Sequence, residues 1–501
     1  MFRIKHVCVD TLSEHVVFIH EAAVRAGNLG FRPLDRVAVV GRHPEDGSTH
    51  EVIGVLNFCR DALVSPDEIG LSEDAFGDLS LPEGTQVRAT LSPAPPSVDF
   101  VRRKLEGGRL DRAAFEAILS DVVRRRYSKV ELSMFVLACA LRELDLEEIV
   151  DYTRAMIATG GRLDFGAGPV ADKHSIGGVP GNRTTMVVVP ILVSLGVRVP
   201  KTSSRAITSP AGTADTMATL AEVALTPEKL RSVVEETGGC IAWGGALSLA
   251  PADDILITVE RPMEIDTESQ MVASILAKKK TVGATHFLLD MPVGRGAKVR
   301  TIADAERLAA LFREVAQRID LRIDAVISEA RGPVGRGIGP RLEALDVLSV
   351  LSRAKDAPED LREKSLYLAA RIIEMTGAVQ PAAGYREAQK ALDSGAAERA
   401  FFRIVQAQGE RALPPEAPFR VTVESIADGR IGEIDLWEIA RVAKLAGAPA
   451  HPAAGVRLFH TIGDVVAAGD ALFEIHAMSE AHLEFAREYA RSRATMFRFG
   501  F

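Results

Sequence analysis

Cysteine is scarce in this chain. Four residues in 501 (Cys8, Cys59, Cys139, Cys240) stand far apart, with no CxxC pair. That excludes a disulfide scaffold and reads as reduced, structural thiols in a cytoplasmic protein. Aromatic residues make up only 5%, too few to build stacking platforms for single-stranded nucleic acid. Neither charge dominates. Sixty Lys+Arg face 68 Asp+Glu for a net charge of −8, so nothing points to nucleic acid or a membrane as the main partner. The longest strongly apolar run, Met186 to Val193, is too short to cross a bilayer and contains Pro190. The opening segment MFRIKHVCVD lacks the apolar stretch of a signal peptide, so a cytoplasmic location is expected. Repeats and low-complexity tracts are also missing. What is present is ordinary for a soluble globular enzyme: 47% apolar and 26% charged residues, in a length that suits about three domains.

The first 90 residues alternate short β-rich runs (Val16–Ile19, Arg36–Gly41, His50–Val55, Gln86–Ala89) with turn clusters, predicting a β-rich domain over 1–90. Prolines 93, 95 and 96 favour extended polyproline geometry and mark a linker at 91–97. A helical pattern follows over 98–160. Ser128-Lys-Val-Glu131 and Asp145-Leu-Glu-Glu148 have capping-box spacing ahead of apolar helical runs. Beyond residue 161 the pattern of strand, glycine loop and helix repeats. VRVPKTSS precedes a hydroxyl-rich loop and the helix-like DTMATLAEVAL, HFLLDMPV precedes Gly294-Arg-Gly-Ala, and IDAVISEA precedes Arg331-Gly-Pro-Val-Gly-Arg-Gly. This predicts an α/β domain over 161–417 with a mainly parallel sheet, whose ligands gather beyond the carboxyl ends of the strands. The tail, 418–501, mixes FRVTVES, an amphipathic helix near Leu436–Leu445 and GVRLFHTIGDVVAAGDALFEIHAM. The last piece has the spacing of a biotinyl- or lipoyl-like hammerhead. It lacks the carrier lysine, since Ala477-Met-Ser-Glu480 stands where an AMKM-type turn would be, so no prosthetic group is expected.

Chemistry concentrates in Asp172-Lys-His-Ser-Ile-Gly-Gly-Val-Pro-Gly-Asn-Arg-Thr184, just before an apolar helix. Glycines let a ligand approach the backbone, and free N–H groups at a helix start favour an anion. Lys173 adds a point charge, and Ser175 and Thr184 add hydroxyl donors. The stretch is not a P-loop, because GxxxxGK[ST] is absent. A second loop of the same character, Lys201-Thr-Ser-Ser-Arg-Ala-Ile-Thr-Ser-Pro-Ala-Gly-Thr213, carries six hydroxyls, a lysine and an arginine. Capping alone would not call for Lys173, Lys201 and Arg205, so the two loops together predict an oxyanion site. Asp266 precedes a helical run in which Ser274 and Lys278 share a face. Gly294-Arg-Gly-Ala-Lys298 supplies a further glycine loop.

Together these stretches resemble the thymidine/AMP phosphorylase family. DKHSIGGVPGNRT is similar to the phosphate loop DKHSTGGVGD of pyrimidine nucleoside phosphorylases. SSRAITSPAGTADTM resembles their SGRGxxHTGGTLDKxE loop in the form typical of AMP phosphorylases, and LAPAD (249–253) and ASILAKK (273–279) match further runs. The resemblance extends from about residue 98 to the hammerhead. It implies a helical domain (98–160, rejoined by about 251–281) plus a larger α/β domain. It also implies a β-rich N-terminal domain that supports assembly, and a homodimer or larger homo-oligomer.

The implied reaction is phosphorolysis of an N-glycosidic bond, with small-molecule substrates and neither metal nor cofactor beyond inorganic phosphate. The phosphate positions fall on Lys173, Ser175, Thr184, Ser204 and Thr213, and the catalytic group on Asp266 (proton donor), Lys173 and His174. Positions for AMP fall on Gly178, Ser204, Arg205, Ala206, Ile207, Thr208, Ser209, Thr213, Ser274, Lys278 and Lys298, with Arg205 and Lys298 as candidates for the 5′-phosphate. Pyrimidine phosphorylases hold the base with an arginine and a tyrosine where this chain has Val259 and Leu256, which favours a purine nucleotide. Three alternatives stay open: a thymidine phosphorylase, an anthranilate-type phosphoribosyltransferase needing Mg²⁺, and a non-catalytic nucleotide sensor. Retention of Asp266, Lys173, Ser274 and Lys278 together argues against the sensor.

Overall fold

The computed structural model describes every residue except Ser13, Asn28, Ile207, Thr208, Asp266, Ala494 and Phe501. The chain divides into two compact units, Met1–Gly161 with Ala250–Ala277, and Arg162–Leu249 with Lys278–Phe501.

In the first unit, the described residues form a closed barrel of β1 (Phe2–His6), β2 (Val16–His20), β3 (Arg36–Arg42), β4 (Thr49–Cys59), β5 (Glu68–Leu71) and β6 (Gln86–Leu91), in the order β1-β5-β2-β4-β3-β6. Alternating side chains such as Val37 and Val39, or Ile69 and Leu71, fill its interior. Four of these strands coincide with the runs read from sequence. β1 and β5 are additions, because FRIKH and EIGL are too short and mixed to signal a strand alone. Helices Val98–Leu105, Arg112–Val123, Lys129–Leu141 and Leu146–Thr159 follow. Ser128 and Asp145 both close reciprocal capping boxes, with Glu131 and Glu148. Glu148 continues inward, where both its oxygens accept from the buried Lys104 Nζ at 2.8 and 2.9 Å. The returning helix Pro251–Met263 packs against Lys129–Leu141 and Arg112–Val123, burying Leu256 and Val259.

The second unit is built on parallel strands. β10 (His286–Val293) lies between β7 (Ala171–Ser175) and β11 (Arg322–Glu329), and β8 (Val199–Ser203) pairs with β9 (Gly239–Trp243). A parallel bridge between Val170 and Arg198 links the two groups. β10 is buried at every position, as expected for a strand covered on both faces. The helix Thr184–Ser194 is buried from Thr184 through Val193, so its apolar run Met186–Val193 is core on every side. The tail adds antiparallel strands around Phe473 and Ile475 and the Leu436–Leu445 helix.

Two expectations need correction. The stretch after Thr213 is helical only through Met217, and the next helix begins at Pro227 behind the Thr226 cap. The cysteines are all unpaired, but only Cys59, Cys139 and Cys240 are buried structural thiols. Cys8 is exposed.

Candidate active site in the α/β unit

β7 ends in Asp172-Lys-His-Ser175, paired in parallel with β10 and joined toward β8 by the Val170–Arg198 bridge. Asp172 is fully buried and serves two cations: Lys279 Nζ lies 2.8 Å from Oδ2, and Lys201 Nζ lies 3.4 Å from Oδ1. The next residue faces a different partner set. Lys173 Nζ donates to Thr184 Oγ1 at 2.7 Å and stands 3.6 Å from Asp290 Oδ2. Asp290 comes from β10, and Lys364 Nζ reaches its other oxygen at 3.4 Å. Asn182 ties this group together, donating to Ser175 Oγ at 3.2 Å and accepting from Thr184 Oγ1 at 3.2 Å. Lys173, Ser175 and Thr184 are therefore brought together through Asn182.

The second loop is joined through Arg183. Its guanidinium donates to Thr213 Oγ1 at 2.9 Å and to the Ala211 carbonyl at 3.0 Å, and it pairs with the buried Glu343. Gly212 packs so tightly against Ser204 that a Cβ there would meet its carbonyl oxygen at 2.5 Å. Ser204 and Thr213 are thus held side by side. Asp215 caps the loop by accepting from Ala206 N–H at 2.6 Å and Gly212 N–H at 2.9 Å. Arg205 lies 3.4 Å from Asp215 and 4.8 Å above the Trp243 ring. Ser209 Oγ turns back to the Ala211 carbonyl at 2.8 Å. Gly178 adopts φ +89°, and a Cβ there would lie 2.7 Å from the Lys298 backbone nitrogen, so these two loops touch.

The concentration of cations in a dry setting sets the protonation behaviour. Burial pushes Lys201 down to about 7 and Lys173 down to about 8, with Asp172 and Asp290 respectively opposing the fall. Desolvation, reinforced by Lys279, Lys201, Lys173 and Lys298, holds His174 well below the ordinary histidine value, so its imidazole is neutral near pH 7. For Asp290, burial raises the carboxyl, but Lys364 and Lys173 outweigh it and keep it below its usual range. Such a cluster is suited to receiving an anion, whose charge would balance the excess of ammonium groups.

Of the remaining expected residues, Ser274 and Lys278 stand one turn apart on the helix Glu268–Thr281. Ile207, Thr208 and Asp266 lie outside the described residues. Sequence reasoning assigned no role to Asp172, Asn182, Arg183, Lys279, Asp290, Glu343 or Lys364. The first three sit inside the quoted motif and could have been weighed there. Asp290 is embedded in an apolar strand, and Lys364 belongs to a distant helix, Glu359–Thr376, with no local motif.

Three family models match the chain: the glycosyl transferase family helical bundle domain over 98–160, the glycosyl transferase family a/b domain over 167–398, and the pyrimidine nucleoside phosphorylase C-terminal domain over 430–496. Together with the relatives that follow, they define an enzyme that transfers a pentosyl group. A protein of Methylococcus capsulatus named "Putative thymidine phosphorylase" is 47% identical, covering 98% of this chain and 95% of its own length. One of Polaromonas with the same name is 46% identical at the same coverage. The chain belongs to the thymidine phosphorylase (pyrimidine nucleoside phosphorylase) family. Among solved structures, anthranilate phosphoribosyltransferase from Thermus thermophilus shares the fold, with a TM-score of 0.53 at 20% identity over 62% of this chain and 99% of that one.

Proposed function

We propose that the protein phosphorolyses a nucleoside 5′-monophosphate, converting AMP and phosphate to adenine and ribose 1,5-bisphosphate. Lys173, Ser175, Thr184, Ser204 and Thr213 hold the attacking phosphate. One of its oxygens forms a bond to the anomeric carbon with inversion as the bond to the base nitrogen breaks. The electron pair of that bond passes to the base, and Asp266 supplies the proton. His174, neutral in its cationic surroundings, offers a hydrogen bond without adding charge. Arg205 and Lys298 take the 5′-phosphate, with Gly178, Ala206, Ile207, Thr208, Ser209, Ser274 and Lys278 lining the nucleotide. Positioning and charge neutralisation carry the rate enhancement. No cofactor or metal takes part. The domain limits read from sequence, and assembly as a homodimer or larger oligomer, belong to the same proposal.

The observation carrying the choice of substrate is the burial of Leu256 and Val259, at 1% and 4% exposure. Both side chains serve as core of the first unit, and neither offers a polar group to a pyrimidine. The names of the relatives favour a second reading, thymidine phosphorolysis to thymine and 2-deoxyribose 1-phosphate. A phosphate-dependent assay with AMP, CMP, UMP and thymidine side by side, EDTA present, separates them. Free adenine from AMP with little thymine supports the nucleotide reading. Turnover of thymidine with all three nucleotides inert overturns it.

A further inference from the structure

The N-terminal barrel carries a grouping of ligating side chains that the phosphorylase reaction does not use. His6 closes β1, and Glu73 opens the helix Glu73–Leu79 that follows β5. Glu73 Oε2 lies 2.8 Å from His6 Nε2. Phe76, one turn along that helix, stacks on the imidazole with centroids 4.4 Å apart and planes 11° from parallel. The ring is thus held by both an edge and a face. Its other nitrogen, Nδ1, faces Cys8 Sγ at 3.6 Å.

Cys8 reaches this position at φ +52°, a left-handed conformation that a residue with a Cβ seldom adopts and that tends to persist where function requires it. The backbone on either side is bonded in place. Val7 N–H donates to the Leu71 carbonyl at 3.1 Å and Glu73 N–H to the Val9 carbonyl at 3.0 Å. Thiol, imidazole and carboxylate thereby converge, with one ligating atom from each lying within 4.8 Å of the others.

We propose that Cys8 and His6 bind a borderline-soft divalent cation of the zinc class, with Glu73 holding the imidazole from behind. Zinc bonds of about 2.3 Å to sulfur and 2.0 Å to nitrogen at a tetrahedral angle set the two ligands about 3.5 Å apart. The Sγ to Nδ1 distance of 3.6 Å matches that separation. By accepting the Nε2 proton, Glu73 selects the tautomer whose lone pair is on Nδ1, which is how carboxylates support metal-bound histidines. A thiolate and an imidazole disfavour magnesium and calcium. Exposure of Cys8 leaves the remaining coordination positions to water. The other three thiols do not compete. They are buried, and desolvation pushes Cys139, for example, up to about 12.

The test uses the full-length, tag-free protein, stripped with a chelator, desalted and kept reduced. Cobalt(II) alone is titrated in as a spectroscopic stand-in, followed by displacement with zinc. The expected result is a thiolate-to-cobalt charge-transfer band that saturates at one equivalent per chain and disappears on adding zinc. Cys8→Ser and His6→Ala remove the band while circular dichroism stays unchanged, and Glu73→Gln weakens binding about tenfold or more. Absence of the band in the wild type overturns the proposal. So does a band that survives Cys8→Ser, an exposed substitution that keeps the test valid even where His6→Ala unfolds the barrel.

Discussion

Lys279 Nζ lies 2.8 Å from the carboxylate of Asp172, although 107 residues separate them, and both groups are buried. With Lys201 on the other oxygen, one carboxylate offsets two ammonium groups at the start of the 172–184 loop. Removing it leaves both cations without a buried counter-charge. Deleting one partner of a buried pair costs about 3–5 kcal/mol. Lys201, with a value near 7, recovers part of that by shedding its proton. Asp172→Asn is therefore expected to lower unfolding stability by about 3 kcal/mol, read as a reduced denaturant midpoint. Adding Lys279→Met should restore part of the loss, because one of the stranded charges is gone. An unchanged midpoint in Asp172→Asn would show that the pair contributes nothing net.

The depressed lysines give a pH dependence whose sign is fixed. Lys201 sits at about 7 in the folded protein and near its ordinary 10.5 when unfolded. Between those values the unfolded chain binds more protons, so this group makes stability rise with pH across the window. Buried thiols and tyrosines oppose the trend, so the measured quantity is a difference. From pH 6.5 to 9.5 the wild type should gain stability relative to Lys201→Met.

Catalysis should run the other way. If Lys173, at about 8, must be charged to hold phosphate, kcat/KM for phosphate falls as pH passes about 8. Lys173→Arg should move that fall to higher pH, at a reduced plateau.

What could be read from the sequence was whatever the chain states locally. The capping boxes at Ser128 and Asp145, the buried strand His286–Val293 and the two hydroxyl-rich loops each occupy a short run with its own chemical logic. What could not be read was long-range pairing. Asp290 looks like a polar interruption in an apolar strand until Lys173 and Lys364 arrive from β7 and a distant helix. Arg183 reads as part of a turn, yet its partners Thr213 and Glu343 come from separate loops and helices. The short β1 and β5 strands exist because the barrel closes through them, which no five-residue window reveals.

Val259 tests the choice of base. The resemblance places an arginine there in pyrimidine phosphorylases, but here the side chain is 4% exposed on the helix Pro251–Met263. Val259→Arg would force a guanidinium into a buried position now filled by an apolar side chain. The expected outcome is a lower thermal midpoint, with destabilisation of at least about 3 kcal/mol, and no new release of thymine from thymidine. Thymidine turnover gained without loss of stability would mean that the position faces substrate and that the base preference can be switched by one residue.

Asp266 tests the chemical step. On the proposed mechanism its carboxylic acid protonates the departing adenine, a contribution worth roughly 10²–10⁴ in rate. Asp266→Asn keeps the size of the side chain and its ability to hydrogen bond but has no acidic proton to give. Calorimetry should therefore find AMP affinity within a few-fold of wild type, while adenine release in single turnover falls at least about a hundredfold. Loss concentrated in binding would make Asp266 a nucleotide-holding group and shift the proton to another donor. Unchanged turnover would remove Asp266 from the mechanism and leave the proton to another donor.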